Sequence, residues 1–457
     1  MSRIIVALQC AVLAVGPATA GCSSSRDRAG EAGSAGSGAG EGAAETARAS
    51  AESRELAGTW RAVLESPGGE LPFGLGIEKR GDAYSGVVIN GEERRPVPIE
   101  RDGDRVTIRL DPYDAVIEAE ISRAVGDRPI TLRGEWRKTI PGGTSRLPFT
   151  ATPGRGERFA PAGPPPGTAG DAVSGIAGDW AVRFEDDSGS FVAVAQLRGE
   201  GDRVEGTFLT ATGDYRYLAG RHDGGFLRLS TFDGAHAFLF HARARPDATL
   251  AGDFWSRDGY HATWTAEPMG ERSLRDVLPD PYGEVRVVSA DGKLRYRFDD
   301  LDGEPVGWDD ARFRGKVVLV DIFGSWCPNC NDAAPLLAEL HRTYRDRGLE
   351  VVGLAFEFTG DAERDRRVLR IYQEHHGIEF PLLLAGISDK KEAAAVLPDL
   401  SAIKSYPTAI FIARDGRVAR IHSGFAGPGT GAHHDALVAD FRKTIEELLA
   451  APAPGKP

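Results

Sequence analysis

Val317-Val318-Leu319-Val320-Asp321-Ile322-Phe323-Gly324-Ser325-Trp326-Cys327-Pro328-Asn329-Cys330 decides how the rest of this chain is read. Its first half, mostly β-branched and apolar, predicts a buried strand. A small-residue turn follows, then the two cysteines, then Ala333, Leu336, Leu337 and Leu340 at helical spacing. Thiols so spaced at a helix start can close a small disulfide ring and open it again. The helix N-terminus also brings unpaired N–H groups and a positive dipole end to Cys327, which favours thiolate over thiol. Pro328 suits the first helical turn, where its missing N–H costs nothing. The stretch reads as a redox-active dithiol, and the Cys327–Cys330 disulfide is the only cofactor expected.

A CxxC pair can also be half of a zinc site or a purely structural disulfide. Zinc would need two further Cys or His ligands. No second CxxC exists, and His375-His376 and His433-His434 are adjacent residues that point in different directions. No metal site is expected.

A chain of 457 residues is long enough for two to four domains. Its 41% hydrophobic and 27% charged content is ordinary for soluble globular protein. A net charge of −12 and the lack of a basic stripe argue against a nucleic-acid partner. The cysteines are Cys10, Cys22, Cys327 and Cys330, too few for a disulfide-stapled scaffold.

The N-terminus accounts for two of them. Met1-Ser2-Arg3, the apolar residues 4–15 and the small residues 16–21 read as a secretory signal, too short for an ordinary membrane span. Thr19-Ala20-Gly21-Cys22 resembles a bacterial lipobox, with Thr19 where Leu is usual, and implies lipidation of Cys22. Ala18-Thr19-Ala20 offers the competing reading of an A-x-A cleavage site that releases a soluble protein. The tether-like tract after Cys22 favours the anchor, which would hold the protein at a membrane surface. The expected location is the cell envelope, facing the periplasm or exterior, with a soluble secreted form as the alternative. Residues 22–54, rich in Gly, Ala, Ser and Glu, cannot bury enough surface to fold and read as a flexible linker.

Residues 55–153 and 175–268 look like two copies of one unit. Leu56-Ala57-Gly58-Thr59-Trp60 matches Ile176-Ala177-Gly178-Asp179-Trp180, and Gly81-Asp82 matches Gly201-Asp202 at the same offset of about 120 residues. Leu132-Arg133-Gly134-Glu135-Trp136 resembles Leu250-Ala251-Gly252-Asp253-Phe254. Short alternating runs separated by Gly-Asp or Asp-Gly turns predict an antiparallel β sandwich or barrel in each copy. Trp60, Trp136, Trp180 and Trp264 read as core residues rather than a ligand-stacking set. The copies' charges look scattered, with no tight acid pair or His cluster. A Pro/Gly linker over 154–174 joins the copies, and 269–295 reads as a connector.

From about 296 the pattern changes. A strand and turn at 296–303 lead into the βα unit at 317–347. A strand at 351–356, a helix at 362–376 and a strand at 380–384 follow. A hairpin over 409–422 and a helix at 435–449 close the domain, before a disordered tail at 451–457. Strands alternating with helices, then a hairpin, predict an α/β sheet with helices on both faces.

Over 296–450 the chain resembles the thioredoxin superfamily, specifically the TlpA-like thiol-disulfide oxidoreductases of the bacterial envelope. Asp321 stands six residues before Cys327, where thioredoxins carry a buried acid, and Pro335 lies where their active-site helix kinks. Tyr406-Pro407-Thr408 matches their cis-proline element. The 80 residues from Cys327 to Pro407 exceed the thioredoxin spacing, similar to the extra βα insert of TlpA-like proteins. Pro328-Asn329 departs from thioredoxin's usual dipeptide and leaves the direction of electron flow open.

The chain thus reads as two repeated antiparallel β domains followed by a thioredoxin-like α/β domain, and the resemblance implies an enzyme acting on protein disulfides. Cys327 would attack, Cys330 would resolve, and Asp321 would exchange the Cys330 proton. Trp326, Tyr406, Pro407 and Thr408 would contact the client, and Glu357 would be a second acid or a solvated strand end. The implied partners are protein disulfide clients and an upstream membrane electron donor. Two alternatives stand beside this reading. One is a surface-anchored binding protein whose β-repeats dock a partner. The other is a peroxide-reducing redoxin, but residues 323–327 lack the Thr such enzymes place before their cysteine.

Overall fold

The computed structural model describes residues 56–111, 113–122, 130–161 and 176–452. The expected signal at 1–21, Cys22, the linker at 22–54, most of the 154–174 linker and residues 453–457 lie outside the described residues. No helix among the described residues is long and apolar enough to cross a membrane.

Each repeat copy is a barrel. In the first, eight antiparallel strands between Gly58 and Pro153 each pair with the next, and the last pairs back with the first. Period-two burial explains the closure. In Arg105–Arg109 the inward Val106 and Ile108 are buried and their neighbours are not. The second copy closes the same way, its Gly189–Glu200 strand pairing with Arg203–Thr210, and carries one extra two-residue strand, Gly213–Asp214.

The repeated motifs do the same physical work twice. Trp60 Nε1 donates to the Leu56 carbonyl at 3.0 Å, and Trp180 Nε1 donates to the Ile176 carbonyl at 3.0 Å. Each tryptophan thus plugs its own barrel while fixing the chain that enters it. Trp60, Trp136, Trp180 and Trp264 are all buried in the barrel cores.

The barrels form one body. Phe232 of the second copy packs against Phe73 (ring centroids 4.5 Å) and Trp136 (5.6 Å) of the first. Asn90 clamps the intruding strand, donating to the Phe232 carbonyl (2.7 Å) and accepting from its N–H (3.1 Å).

The copies differ where the second meets the C-terminal domain. Opposite Thr207 and Phe208, the second barrel has three residues, 215–217, between its paired positions. This is a β-bulge, and Arg216 within it sits at φ 58°. The bulge turns the Arg216 side chain out of the ladder toward the third module.

In that module β1 (Arg297–Asp300), β2 (Pro305–Gly307), β3 (Val317–Phe323), β4 (Leu349–Glu357), β5 (Leu382–Ile387), β6 (Thr408–Ile412) and β7 (Val418–Ser423) form one sheet of order β2-β1-β5-β4-β3-β6-β7. The central β3–β4 and β4–β5 pairs are parallel; the outer pairs are antiparallel. Helices α1 (Pro328–Tyr344), α2 (Ala362–His376), α3 (Lys390–Val396) and α4 (Ala432–Ala450) complete it. Every residue of β3 is buried, as its unbroken apolar run predicts for a central parallel strand. α1 begins at Pro328, the first-turn position expected for that proline, with Cys327 as its N-cap and Cys330 in its first turn. The connector expected at 269–295 is also partly core: Val285 and Leu294 are buried with the sheet, and Val287 bridges Leu400.

Glycine at the shared Leu-x-Gly position has a steric reason in both copies. A Cβ on Gly134 would lie 1.9 Å from the Glu118 carbonyl oxygen, and one on Gly252 1.8 Å from that of His241. Gly252→Ala must therefore push two strands apart, and we expect a loss of about 2 kcal/mol, read as a lower urea midpoint at unchanged m.

Candidate active site

The site is built where β3 hands over to α1. Cys327 is the N-cap of α1, and its Sγ accepts the Cys330 N–H at 3.4 Å. Both cysteines are free thiols, Cys327 5% exposed and Cys330 fully buried. The Cys327 thiol lies 3.4 Å from the Tyr406 carbonyl oxygen, to which it donates. The Tyr406–Pro407 bond is cis, and the Tyr406 carbonyl faces the dithiol.

Burial sets the electrostatics. The Cys330 thiol is pushed well above the usual thiol range by burial, then by Cys327 and the nearby Asp321. Asp321, on β3, is buried with Oδ1 unpartnered, and burial alone pushes its carboxyl up to about 7. A carboxyl titrating near neutrality beside a high-pKa thiol can take that thiol's proton when the thiol must react.

Glu357, at the end of β4, is buried rather than solvated, and burial pushes it up to about 7. It accepts the Ser325 N–H and hydroxyl, both at 2.8 Å, which fixes the turn before the dithiol. Trp326 donates from Nε1 to the Phe356 carbonyl (2.8 Å) and stacks on Phe358 at 4.6 Å, flanking the site. Tyr406 meets Trp326 edge-on at 5.5 Å. Thr408 is placed differently from the expected client contact. It is fully buried, and its hydroxyl donates to the Ser405 carbonyl (2.8 Å), bracing the cis turn from behind.

Several residues at the site lie outside the motifs around the dithiol. Asn331 donates from Nδ2 to the Ser325 (2.8 Å) and Cys327 (2.9 Å) carbonyls, and its Oδ1 accepts from His376 Nε2 (2.8 Å). Tyr372 donates to the Cys330 carbonyl at 3.0 Å. Tyr372 and His376, four apart on α2, share the face toward α1, a spacing that could have flagged them. Arg216, Asp214 and Glu93 come from the barrels, and nothing in the local sequence ties them to the dithiol. The apparent scatter of barrel charges is corrected here: Arg216 lies 2.5 Å from Glu93 and 3.0 Å from Asp233, and pairs with Asp332 of α1.

Comparison with known proteins places this module. Residues 289–421 match the AhpC/TSA family. Thioredoxin-like protein YneN of Bacillus subtilis is 32% identical over 141 residues, 31% of this chain and 75% of that protein. Thiol-disulfide oxidoreductase ResA of Halalkalibacterium halodurans is 22% identical over 153 residues, 34% of this chain and 74% of that protein. ResA of Bacillus thuringiensis is 26% identical over 119 residues, which span 60% of its length. A thioredoxin-family thiol:disulfide interchange protein of Chlorobium tepidum aligns with 35% of this chain and 96% of its own at 22% identity, with a TM-score of 0.27. The C-terminal third is thus a thioredoxin-like domain of the thiol-disulfide oxidoreductase class. Through it the chain belongs to the thioredoxin-like AhpC/TSA family.

Asp321 and Glu357 bind protons more tightly in the folded domain than in the unfolded chain, where carboxyls titrate near 3.8 and 4.5. Their stabilising contribution is therefore full below about pH 4 and is lost as pH rises through about 7. Asp321→Asn should flatten this fall, by at most about 4 kcal/mol between pH 4 and 8, in urea unfolding followed across that range. An unchanged slope would mean that Asp321 ionises normally.

Proposed function

We propose that this protein is an envelope-anchored thiol-disulfide oxidoreductase that reduces disulfides in extracytoplasmic client proteins. The observation that carries the reading is one arrangement: a dithiol capping α1, with its buried thiol beside the unpartnered carboxyl of Asp321. The names of the ResA relatives support the same chemistry.

In the proposed cycle the Cys327 thiolate attacks one sulfur of the client disulfide. A mixed disulfide forms, and the client's other sulfur leaves as a thiolate that takes a proton from water. Cys330 then gives its proton to the Asp321 carboxylate and attacks Cys327 Sγ; the second client sulfur leaves as a thiolate that takes a proton from water, and Asp321 returns its own to solvent. Two electrons pass to the client, and the domain is left as the Cys327–Cys330 disulfide. An upstream membrane donor of two electrons restores the dithiol. Trp326 and the Tyr406–Pro407 turn would flank the client, and Glu357 would hold the turn that aims Cys327. The N-terminal pattern ending at Cys22 supports a lipid anchor and an envelope location.

The chain from residue 23 onward, supplied with dithiothreitol, should accelerate reduction of a disulfide carried on an extended peptide, and Cys327→Ser should abolish this. Cys330→Ser should instead accumulate a mixed disulfide with the client, visible on a non-reducing gel. Failure of the unmutated chain to reduce any disulfide overturns the reading. Redox titration separates direction: a midpoint near about −270 mV is expected for a reductant, and one near about −120 mV would reassign it as an oxidant.

A further inference from the structure

The second barrel reaches onto the face from which a client would approach. Asn329, between the two cysteines, meets the Gly213–Asp214 strand. With its amide turned to satisfy both partners, it donates to the Asp214 carbonyl (3.2 Å) and accepts from the Asp214 N–H (3.3 Å). The contact is close enough that a Cβ on Gly213, at φ 151°, would fall 1.7 Å from the Asn329 side-chain amide.

The same turn continues across the site. The Asp214 carboxylate accepts the Gly427 N–H at 2.6 Å and the Arg216 N–H at 2.7 Å. Gly427 belongs to the loop after β7, whose Gly424 N–H donates to the Pro407 carbonyl at 2.8 Å. Gly424 in turn lies under the second barrel, since a Cβ there would be 3.0 Å from the Ala211 carbonyl oxygen. Residues 211–216 therefore span from the dipeptide between the cysteines to the loop beside the cis-proline. Cys327 sits between those two supports.

The turn is anchored at its far end. Arg216, held out by the bulge, ties it to Glu93 of the first barrel and Asp332 of α1. One side of the site stays more open, where Trp326, Pro328 and Phe358 are only partly buried and Lys390 is exposed.

We propose that the 211–216 turn is the specificity-determining rim of this oxidoreductase, with Asp214 as the residue that positions it. The rim closes one side of Cys327. It admits small disulfides, and disulfides carried on exposed extended segments that enter along the Trp326 edge. It excludes disulfides set in the surface of a compact protein, whose flanks would collide with the barrel. The inference rests on the function proposed above.

The test uses the chain from residue 23 onward in its dithiol form and takes a ratio of two rate constants. One is for oxidation by hydroxyethyl disulfide; the other is for oxidation by insulin, a compact protein disulfide. The ratio cancels any change in the intrinsic reactivity of Cys327. Asp214→Ala removes the acceptor that holds the turn to Gly427 and Arg216. Asn329→Ala breaks the contact from the other side, with no change to the barrel. Both should raise the insulin-to-hydroxyethyl ratio at least tenfold, and Asp214→Asn, which keeps one acceptor oxygen for the two N–H donors, should raise it by less. If Asp214→Ala fails to fold, Asn329→Ala decides. Equal ratios in the unmutated and variant proteins overturn the rim. No reaction of the unmutated chain with hydroxyethyl disulfide overturns instead the function on which the rim rests.

Discussion

A guanidinium buried where three modules meet cannot be left unpaired, and the arrangement of this protein depends on how that cation is matched. Arg216 is 5% exposed and engages Glu93, Asp233 and Asp332, one carboxylate from each barrel and one from α1. Burying a charge costs several kcal/mol, and attraction offsets the cost only when partners are in place. Removing the guanidinium would leave Glu93, Asp233 and Asp332 buried without the cation they share. The junction therefore prescribes one relative placement of barrels and sheet. Acids outnumber the cation there, and the imbalance shows in protonation. Asp214 is pushed up to about 6 by burial and then by Asp332, and burial likewise raises Asp332.

The dithiol is shaped by a second burial problem with the opposite solution. Cys330 and Asp321 are desolvated without any cation beside them, so both are driven toward their neutral forms. Cys327 caps α1 and accepts the Cys330 backbone N–H. Two identical side chains three residues apart thus acquire different environments from one helix terminus. In the proposed cycle that difference separates the attacking thiol from the resolving one. The polar braces around them, Glu357 on the Ser325 turn and Asn331 on the Cys327 carbonyl, hold the geometry without touching sulfur.

The barrels show how a repeated sequence can carry unequal duties. Gly58 and Gly178 precede tryptophans that make the same hydrogen bond to the chain four residues back. Up to that point the copies are interchangeable in their physics. One inserted residue at 215–217 then bends the second copy alone and turns Arg216 toward α1. A bulge of a single residue converts a self-contained barrel into part of an inter-module contact.

The sequence by itself determined the elements whose causes are local. The apolar run of β3, the Pro328 helix start, the 362–376 helix and the paired Gly-x-Trp motifs were legible because burial period and turn chemistry are written in neighbouring residues. Cys327, Cys330 and Asp321 could be named for the same reason, lying within ten residues of one another. Only the tertiary structure decided that Glu357 is buried and bound to Ser325, that Thr408 sits behind its turn, and that 285–295 joins the core. It alone brought Arg216, Asp214 and Glu93 to the dithiol face. These groups are separated from Cys330 by more than a hundred residues, and the energy that unites them is the pairing of buried charge. Such pairing depends on distance in space, and a charge pattern along the chain does not record it.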